Sequence, residues 1–287
     1  MIRRNPFRQI YESKEFNNRN SLMPQMVDIE LTNHCNLRCK MCDRQRMNRL
    51  RGYMPEHIYC KLVDECQKYK IPLRFIGWGE PFLHPKIIDY LEYAKPLLLH
   101  ITNNGQIITE RQMRDLVRIG LDSIIFSMQG ATKKGYEEMR IGADYDKLIK
   151  NILKLIEIRG NKEKPFIHVS STMTNESRDE VGAFVSYWNS KVDSEGFGKT
   201  VFHERKEYTD YRPCSEVYQK LTIKWDGQIS ACCADYDNTL VIGNMKDNTL
   251  KEVWNGEQMK AIRTLLLNNR FRNLTLCKEC QYAYSGF

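Results

Sequence analysis

Residues 35 to 42 read CNLRCKMC, which places Cys35, Cys39 and Cys42 within one short loop. Cysteine-rich loops bind zinc or iron–sulfur clusters. A structural zinc site wants four closed ligands. The histidine beside this triplet, His34, directly adjoins Cys35 and is awkwardly placed to share a tetrahedron with it. A cubane of four irons takes three thiolates on three corners and leaves the fourth iron open to a ligand with its own donors. The chain has ten cysteines. Cys214, Cys232, Cys233, Cys277 and Cys280 fall late in it, while Cys60 and Cys66 stand alone in a helical pattern. Cys60 and Cys66 do not share a helix face, so both read as buried or idle thiols.

The elements that must position these residues alternate. MVDIEL (26–31) has the rhythm of a half-buried strand, and the cysteine loop follows it directly. A helix is expected at 55–69, then a strand at 73–78 and a helix at 85–95. The next strand falls at 97–102 and precedes a helix at 109–119 with Thr109 as N-cap. A strand at 123–128 leads to helices at 132–140 and 145–159. Further strands are expected at 166–173 and 200–204, with a helix at 177–190 between them. Strand alternating with helix implies parallel strands and right-handed crossovers. The α/β fold expected is a partial (β/α)6 TIM-like barrel, smaller than the eight-unit form. Its chemistry belongs at the C-terminal strand ends, where CNLRCKMC lies.

CNLRCKMC resembles the signature of the radical S-adenosylmethionine (SAM) superfamily. The resemblance implies that Cys35, Cys39 and Cys42 ligate a 4Fe-4S cluster whose open iron chelates SAM. An electron from that cluster cleaves SAM to methionine and a 5′-deoxyadenosyl radical, which takes a hydrogen atom from the substrate. It also implies that Met41 packs by the adenine. Gly77-Trp78-Gly79-Glu80-Pro81 resembles the family's Gly-Gly-Glu-Pro motif, with Trp78 in place of a glycine. There Gly77 and Gly79 would admit SAM closely, and Glu80 or nearby carbonyls would receive its ammonium. Thr102-Asn103-Asn104-Gly105 resembles the family's Thr-Asn-Gly stretch, with Asn103 at the cofactor. Ser127 matches a position near the SAM ribose or carboxylate, and Arg140 is expected to pair with that carboxylate. Alone, each of these stretches also reads as turn, N-cap or helix-end chemistry. Their order, each at a strand end, is what binds them together.

After about residue 205 the pattern changes. LTIKWDGQISACC (221–233) reads as a hairpin turning at Asp226-Gly227, and a helix is expected at 249–267. A tail this small calls for a metal or disulfide staple. Its cysteines resemble a SPASM domain in the shortened, twitch form that holds one auxiliary 4Fe-4S cluster. The resemblance implies Cys214, Cys232, Cys277 and Cys280 as ligands. Cys232 is preferred to Cys233 on register, with the neighbour pointing the other way. A four-cysteine zinc ribbon is the rival. The division expected is an N-terminal extension (1–25), a radical SAM core (26–205) and an auxiliary cluster unit (206–287).

The tail spacing is similar to that of twitch-bearing aminocyclitol dehydrogenases, which oxidise a secondary alcohol. The expected function is therefore a radical SAM oxidoreductase acting on a sugar or aminocyclitol alcohol, with an auxiliary cluster taking up an electron. Radical crosslinking or epimerisation of a ribosomal peptide is the runner-up. A zinc-stapled nucleic-acid-binding protein is the distant alternative. The catalytic base is unassigned, with His168, His203, Glu204 and Arg205 on or after late strands. The net charge of +8 fits a docking face for an acidic flavodoxin- or ferredoxin-type donor. Nucleic acid is disfavoured, because the basic residues are spread along the chain. The basic, polar start lacks a secretory h-region, and runs such as Leu97–Leu99 and Leu265–Leu267 are too short to span a bilayer. A cytoplasmic protein with no membrane partner is expected.

Overall fold

A computed structural model describes residues 5–13, 18–173, 176–199, 213–278 and 280. Six parallel strands lie side by side in chain order: β1 (Met26–Ile29), β2 (Leu73–Phe75), β3 (Leu99–Asn103), β4 (Ser123–Ser127), β5 (Phe166–Met173) and β6 (Ser194–Lys199). Helices Glu56–Tyr69, Ile87–Tyr93, Glu110–Ile119, Lys133–Met139, Tyr145–Arg159 and Arg178–Trp188 cross between them. This is the partial TIM-type barrel expected. Thr109 caps its helix in a full capping box with Gln112.

The strand expected at 200–204 lies outside the described residues. Ahead of it, β6 forms over Ser194–Lys199, where no strand was expected. Its sequence, SEGFGK, carries two glycines and no β-branched residue, so local preference hides it. Pairing to β5 from His168↔Ser194 onward holds it in place.

The barrel has two chemically distinct faces. Val27, Ile29, Leu73, Phe75, Leu99, Ile101, Ile124, Phe126, Ile167 and Val169 face the helices and join one apolar core. The alternate positions, Asp28, Arg74, His100, Thr102, Ser123, Ser127, His168 and Ser170, form a mostly polar inner wall interrupted by Ile125. Asp28, Arg74, His100 and Ser123 are successive register partners across four strands. Arg74 grips Asp28 with two hydrogen bonds of 2.7 and 2.8 Å. Phe7, from the helix Pro6–Glu12, packs on His100 and on Met26 beneath the barrel.

The tail hairpin is β7 (Lys220–Ile223) and β8 (Gln228–Ser230), followed by β9 (Val241–Asn244). Gly227 turns it at φ +86°, a conformation that costs other residues a clash. β7 pairs parallel with β1, so among the described residues one nine-stranded sheet runs from β9 to β6. Trp254, Met259 and Phe271 of the tail belong to the same apolar core as Leu62 and Phe75. The tail is thus held by shared packing, beyond any staple its cysteines provide. The helix expected at 249–267 is two, Leu250–Asn255 and Glu257–Leu267. Gly256 breaks it by adopting extended backbone at φ −70°, ψ 162°.

Candidate active site

The cysteine loop leaves β1 at the C-terminal end of the barrel. Thr32 bridges to Tyr53, and buried Asn33 ties the loop to the later segment by donating to the Leu50 carbonyl at 2.8 Å. Buried Arg44 donates to the Asn33 carbonyl at 2.8 Å. The three thiols are free, and Cys39 is buried while Cys35 and Cys42 are half-buried. They lie close enough to feel one another's charge. Burial pushes all three above the usual thiol range. Metal binding there would displace protons. Met41 is half-buried beside them.

The turn after β2 closes on this loop. A Cβ on Gly79 would lie 2.1 Å from the Thr32 carbonyl oxygen and 2.6 Å from that of His34. A Cβ on Gly77 would lie 2.7 Å from Glu30 Cβ. Both glycines are therefore demanded by β1 and the cysteine loop. Trp78 between them donates its backbone N–H to Glu30 at 3.1 Å, and its ring meets Tyr236 of the tail edge-on. Arg49 locks Glu30 with two further bonds, of 2.7 and 2.5 Å. Glu80 is buried, and its two oxygens accept the backbone N–H groups of Phe82 (3.1 Å) and Asn104 (2.8 Å). Burial pushes its carboxyl up to about 7.

Asn103 ends β3 with its amide committed to the backbone, donating to the Ile125 carbonyl at 2.9 Å and accepting Gly105 N–H at 2.8 Å. Its neighbour Asn104, which the sequence reading passed over, reaches the cysteine loop. Its Nδ2 donates to Asn36 Oδ1 at 2.9 Å and approaches Cys35 Sγ at 3.9 Å. Two adjacent asparagines were the available signal, but the pleat decides which one faces the loop. Ser127 ends β4 on the inner wall, opposite Ser170. Arg140 is buried. Its Nη1 approaches Cys39 Sγ at 3.9 Å, and Nη2 donates to the Met128 carbonyl at 3.2 Å.

In the tail, burial pushes Cys214 up to about 11 and Cys277 up to about 12. Cys214, Cys277 and Cys280 lie within charge range of one another, and Cys232 lies within range of Cys214. Cys232 packs against the core. Cys233 is exposed and turns to Glu216, its Sγ 3.6 Å from a carboxylate oxygen. Cys60 packs at the core edge and Cys66 is buried within the core, far from either group's chemistry. His203, Glu204 and Arg205 lie outside the described residues. His168 sits on the inner wall, bonded through Nδ1 to the Ser194 hydroxyl, and burial lowers its pKa.

The family model of the radical SAM superfamily matches residues 29–187. The chain belongs to the radical SAM superfamily. The SPASM model, an iron-sulfur cluster-binding domain, matches residues 214–281. A tungsten-containing aldehyde ferredoxin oxidoreductase cofactor-modifying protein of Pyrococcus furiosus is 25% identical, over 87% of this chain and 86% of its own. A SAM-dependent 2-deoxy-scyllo-inosamine dehydrogenase of Niallia circulans is 19% identical, over 89% and 92%. Among solved structures, BtrN in complex with AdoMet and 2-DOIA is similar at TM-score 0.62, with 16% identity over 91% of this chain and 98% of that one. Streptococcus suis SuiB bound to the precursor peptide SuiA gives TM-score 0.72, with 17% identity over 90% and 70%. At these identities the structural likeness speaks to fold alone.

This radical SAM enzyme carries the family's cofactors, SAM and a 4Fe-4S cluster, with auxiliary iron–sulfur in its SPASM unit. The residues present fit them. A cavity of about 370 Å3 opens over Cys35, walled by Asn36, Arg38, Arg44, Gln45 and Arg51. Buried Arg140, in contact with Cys39, leaves Nε without a partner, as does the buried Trp78 indole nitrogen. A cationic wall around thiolates suits an anionic cluster. Among the described residues no three His, Cys, Asp or Glu side chains could share a single metal ion. A cubane asks for less convergence, since each thiolate binds its own iron. Among the described residues no helix is long and apolar enough to cross a membrane.

Proposed function

We propose that this radical SAM enzyme is an oxidoreductase that dehydrogenates a hydroxyl-bearing small molecule of the sugar or aminocyclitol class. The observation that carries this reading is the inner wall, where hydroxyls, imidazoles and the Asp28–Arg74 pair surround the aliphatic Ile125, while helix-facing positions such as Val27, Phe75, Ile101, Phe126 and Val169 are apolar. Such a wall offers both donors and acceptors, which a polyol matches and an apolar peptide side chain does not. The named dehydrogenase among its relatives, matched over most of both chains, supports the same chemistry. Peptide modification remains the second reading, supported by the fold shared with a peptide-bound neighbour.

Cys35, Cys39 and Cys42 would hold the cluster that binds SAM. Together the two supply the one-electron cleavage and the hydrogen-atom acceptor. Met41, Gly77, Gly79, Glu80, Asn103 and Ser127 frame the SAM pocket. Both Glu80 oxygens already serve backbone amides, so the turn's carbonyls are the freer acceptors for an ammonium. Cys214, Cys232, Cys277 and Cys280 would hold the auxiliary cluster, with exposed Cys233 outside it. His168, neutral at neutral pH, is the base we assign to the substrate hydroxyl proton. Residues 26–205 form the core in this reading, with the auxiliary unit at 206–287. The electron donor would be an acidic flavodoxin- or ferredoxin-type protein. It would dock on the cysteine loop, where Arg38, Lys40, Arg46 and Arg51 are all exposed.

Anaerobic purification with iron and sulfide assay tests the reading. About eight irons per chain are expected from two cubanes, and SAM with a strong reductant should yield 5′-deoxyadenosine. Cys39→Ala should abolish that product, whereas Cys277→Ala should spare cleavage and impair turnover. Zinc without labile sulfide would end the proposal.

A further inference from the structure

Arg140 is 8% exposed; it feels the charge of buried Glu80, yet among the described residues no carboxylate makes an ion-pair contact with it. A buried guanidinium without a contacting counter-charge is costly unless an anion completes it. Its surroundings say which anion. Arg38–Cys39 and Arg140–Ile141 form a two-residue antiparallel ribbon, in which Cys39 and Arg140 are direct partners. Direct partners project to the same face. Lys40 N–H, donating to the Met139 carbonyl at 2.9 Å, extends the ribbon. Nη1 approaches Cys39 Sγ at 3.9 Å, and Nη2 is anchored on the Met128 carbonyl at 3.2 Å. Cys35 and Cys42 feel the charge of Arg44, but among the described residues no guanidinium N–H is directed at either sulfur. Cys35 receives the Leu37 N–H at 3.5 Å and Asn104 Nδ2 at 3.9 Å, both neutral donors. The Cys42 sulfur receives the Arg44 backbone N–H. The three ligating positions are thus unequal, and at Cys39 alone, among the described residues, a guanidinium N–H meets the sulfur directly.

We propose that Arg140 raises the reduction potential of the cluster on the cysteine loop, acting through the Cys39 sulfur. This rests on the ligand assignment under Proposed function. Reduction adds one electron, from the acidic donor protein, and no atom; the cluster gains one negative charge. A cation and an N–H donor at a ligand sulfur favour the more negative state, so the potential rises. Arg140 is a positioning residue in this role, not a catalytic one. The sequence expectation gave Arg140 to the SAM carboxylate, and Nε is still free to meet it. The two roles separate cleanly, because only the first operates in the absence of SAM.

The test is an anaerobic redox titration of the holoenzyme without SAM, followed by electron paramagnetic resonance. The signal is assigned by its change of shape when SAM is added to a parallel sample. Arg140→Met should lower the reduced-to-oxidised ratio at the wild-type midpoint about tenfold, equivalent to about 59 mV for one electron. Arg140→Lys, which keeps the charge, should restore most of it, and Arg140→Gln should fall between Met and Lys. If one variant loses its cluster, the remaining pair must still show that order. Equal midpoints without SAM overturn the proposal, even where SAM binding weakens. Wild-type protein without labile sulfide overturns both this inference and the reading beneath it.

Discussion

Gly79→Ala adds one methyl group where the turn after β2 meets the cysteine loop. Its Cβ would sit 2.1 Å from the Thr32 carbonyl oxygen, and real Cβ contacts essentially never fall under 3.0 Å. Either the turn or the loop must therefore retreat by about 0.9 Å, and the obstructing atoms are backbone, so no rotamer relieves them. That retreat breaks the 2.8 Å bond from Glu80 N–H to the His34 carbonyl. Overpacking costs about 1–3 kcal/mol and the bond about 1 kcal/mol, so about 2–4 kcal/mol is expected. For a chain of 287 residues that lowers Tm by about 3–7 °C. Gly182→Ala is the control. Gly182 lies within the helix Arg178–Trp188 with nothing inside 4 Å of its would-be Cβ, and the change should stabilise by about 0.5–1 kcal/mol. Thermal unfolding by circular dichroism, run beside an iron assay of each variant, reads both. Unchanged melting and undiminished iron in Gly79→Ala would refute the argument that packing against the loop, and not the cofactor alone, demands glycine here.

Asp28→Ala should destabilise by about 3–5 kcal/mol, since it removes the buried carboxylate that Arg74 grips with two hydrogen bonds and leaves Lys220 to Glu216. Burial pushes Asp28 up, but the Arg74 and Lys220 charges outweigh it and hold its pKa below the ordinary 3.8. Its contribution is therefore complete above about pH 4 and fades as pH falls through the lowered value; urea titrations of both proteins should converge in acid, and parallel curves would contradict this. His168→Gln should preserve 5′-deoxyadenosine formation while abolishing alcohol oxidation, and full retention of product would remove His168 as base. Lys40→Glu with Arg46→Glu should raise KM for an acidic protein donor and leave rates with a small chemical reductant unchanged. Equal loss with both reductants would point away from docking.

The barrel was legible because each strand writes its two faces into alternate residues. Val27 and Ile29 point to the helices and Asp28 to the lumen, and the same rhythm recurs at Leu99, His100 and Ile101. β6 was missed because SEGFGK has no such rhythm and depends on β5 for its shape. The motif residues were found because each is covalently tied to a strand end. What escaped was the wiring between them. Asp237 accepts hydrogen bonds from Asn48 and Arg49 across a sequence separation of 189 and 188 residues, at 2.7 Å from Asn48 N–H. Glu30 and Arg49 meet by tertiary folding alone, and Arg140 reaches Cys39 across a ribbon whose strands are 101 residues apart. No local preference encodes a partner so distant.

The parallel pairing of β7 with β1 makes the sheet a ruler. Met26 is matched to Lys220 and Ile29 to Ile223, so the separation of the two cysteine groups is graduated in steps of about 3.3 Å per residue. A slip by one step is forbidden, because it would drive Lys220 and Lys224 into oil and Leu221 and Ile223 into the polar lumen. The spacing between the two cysteine groups is thereby engraved in an alternation of greasy and charged side chains.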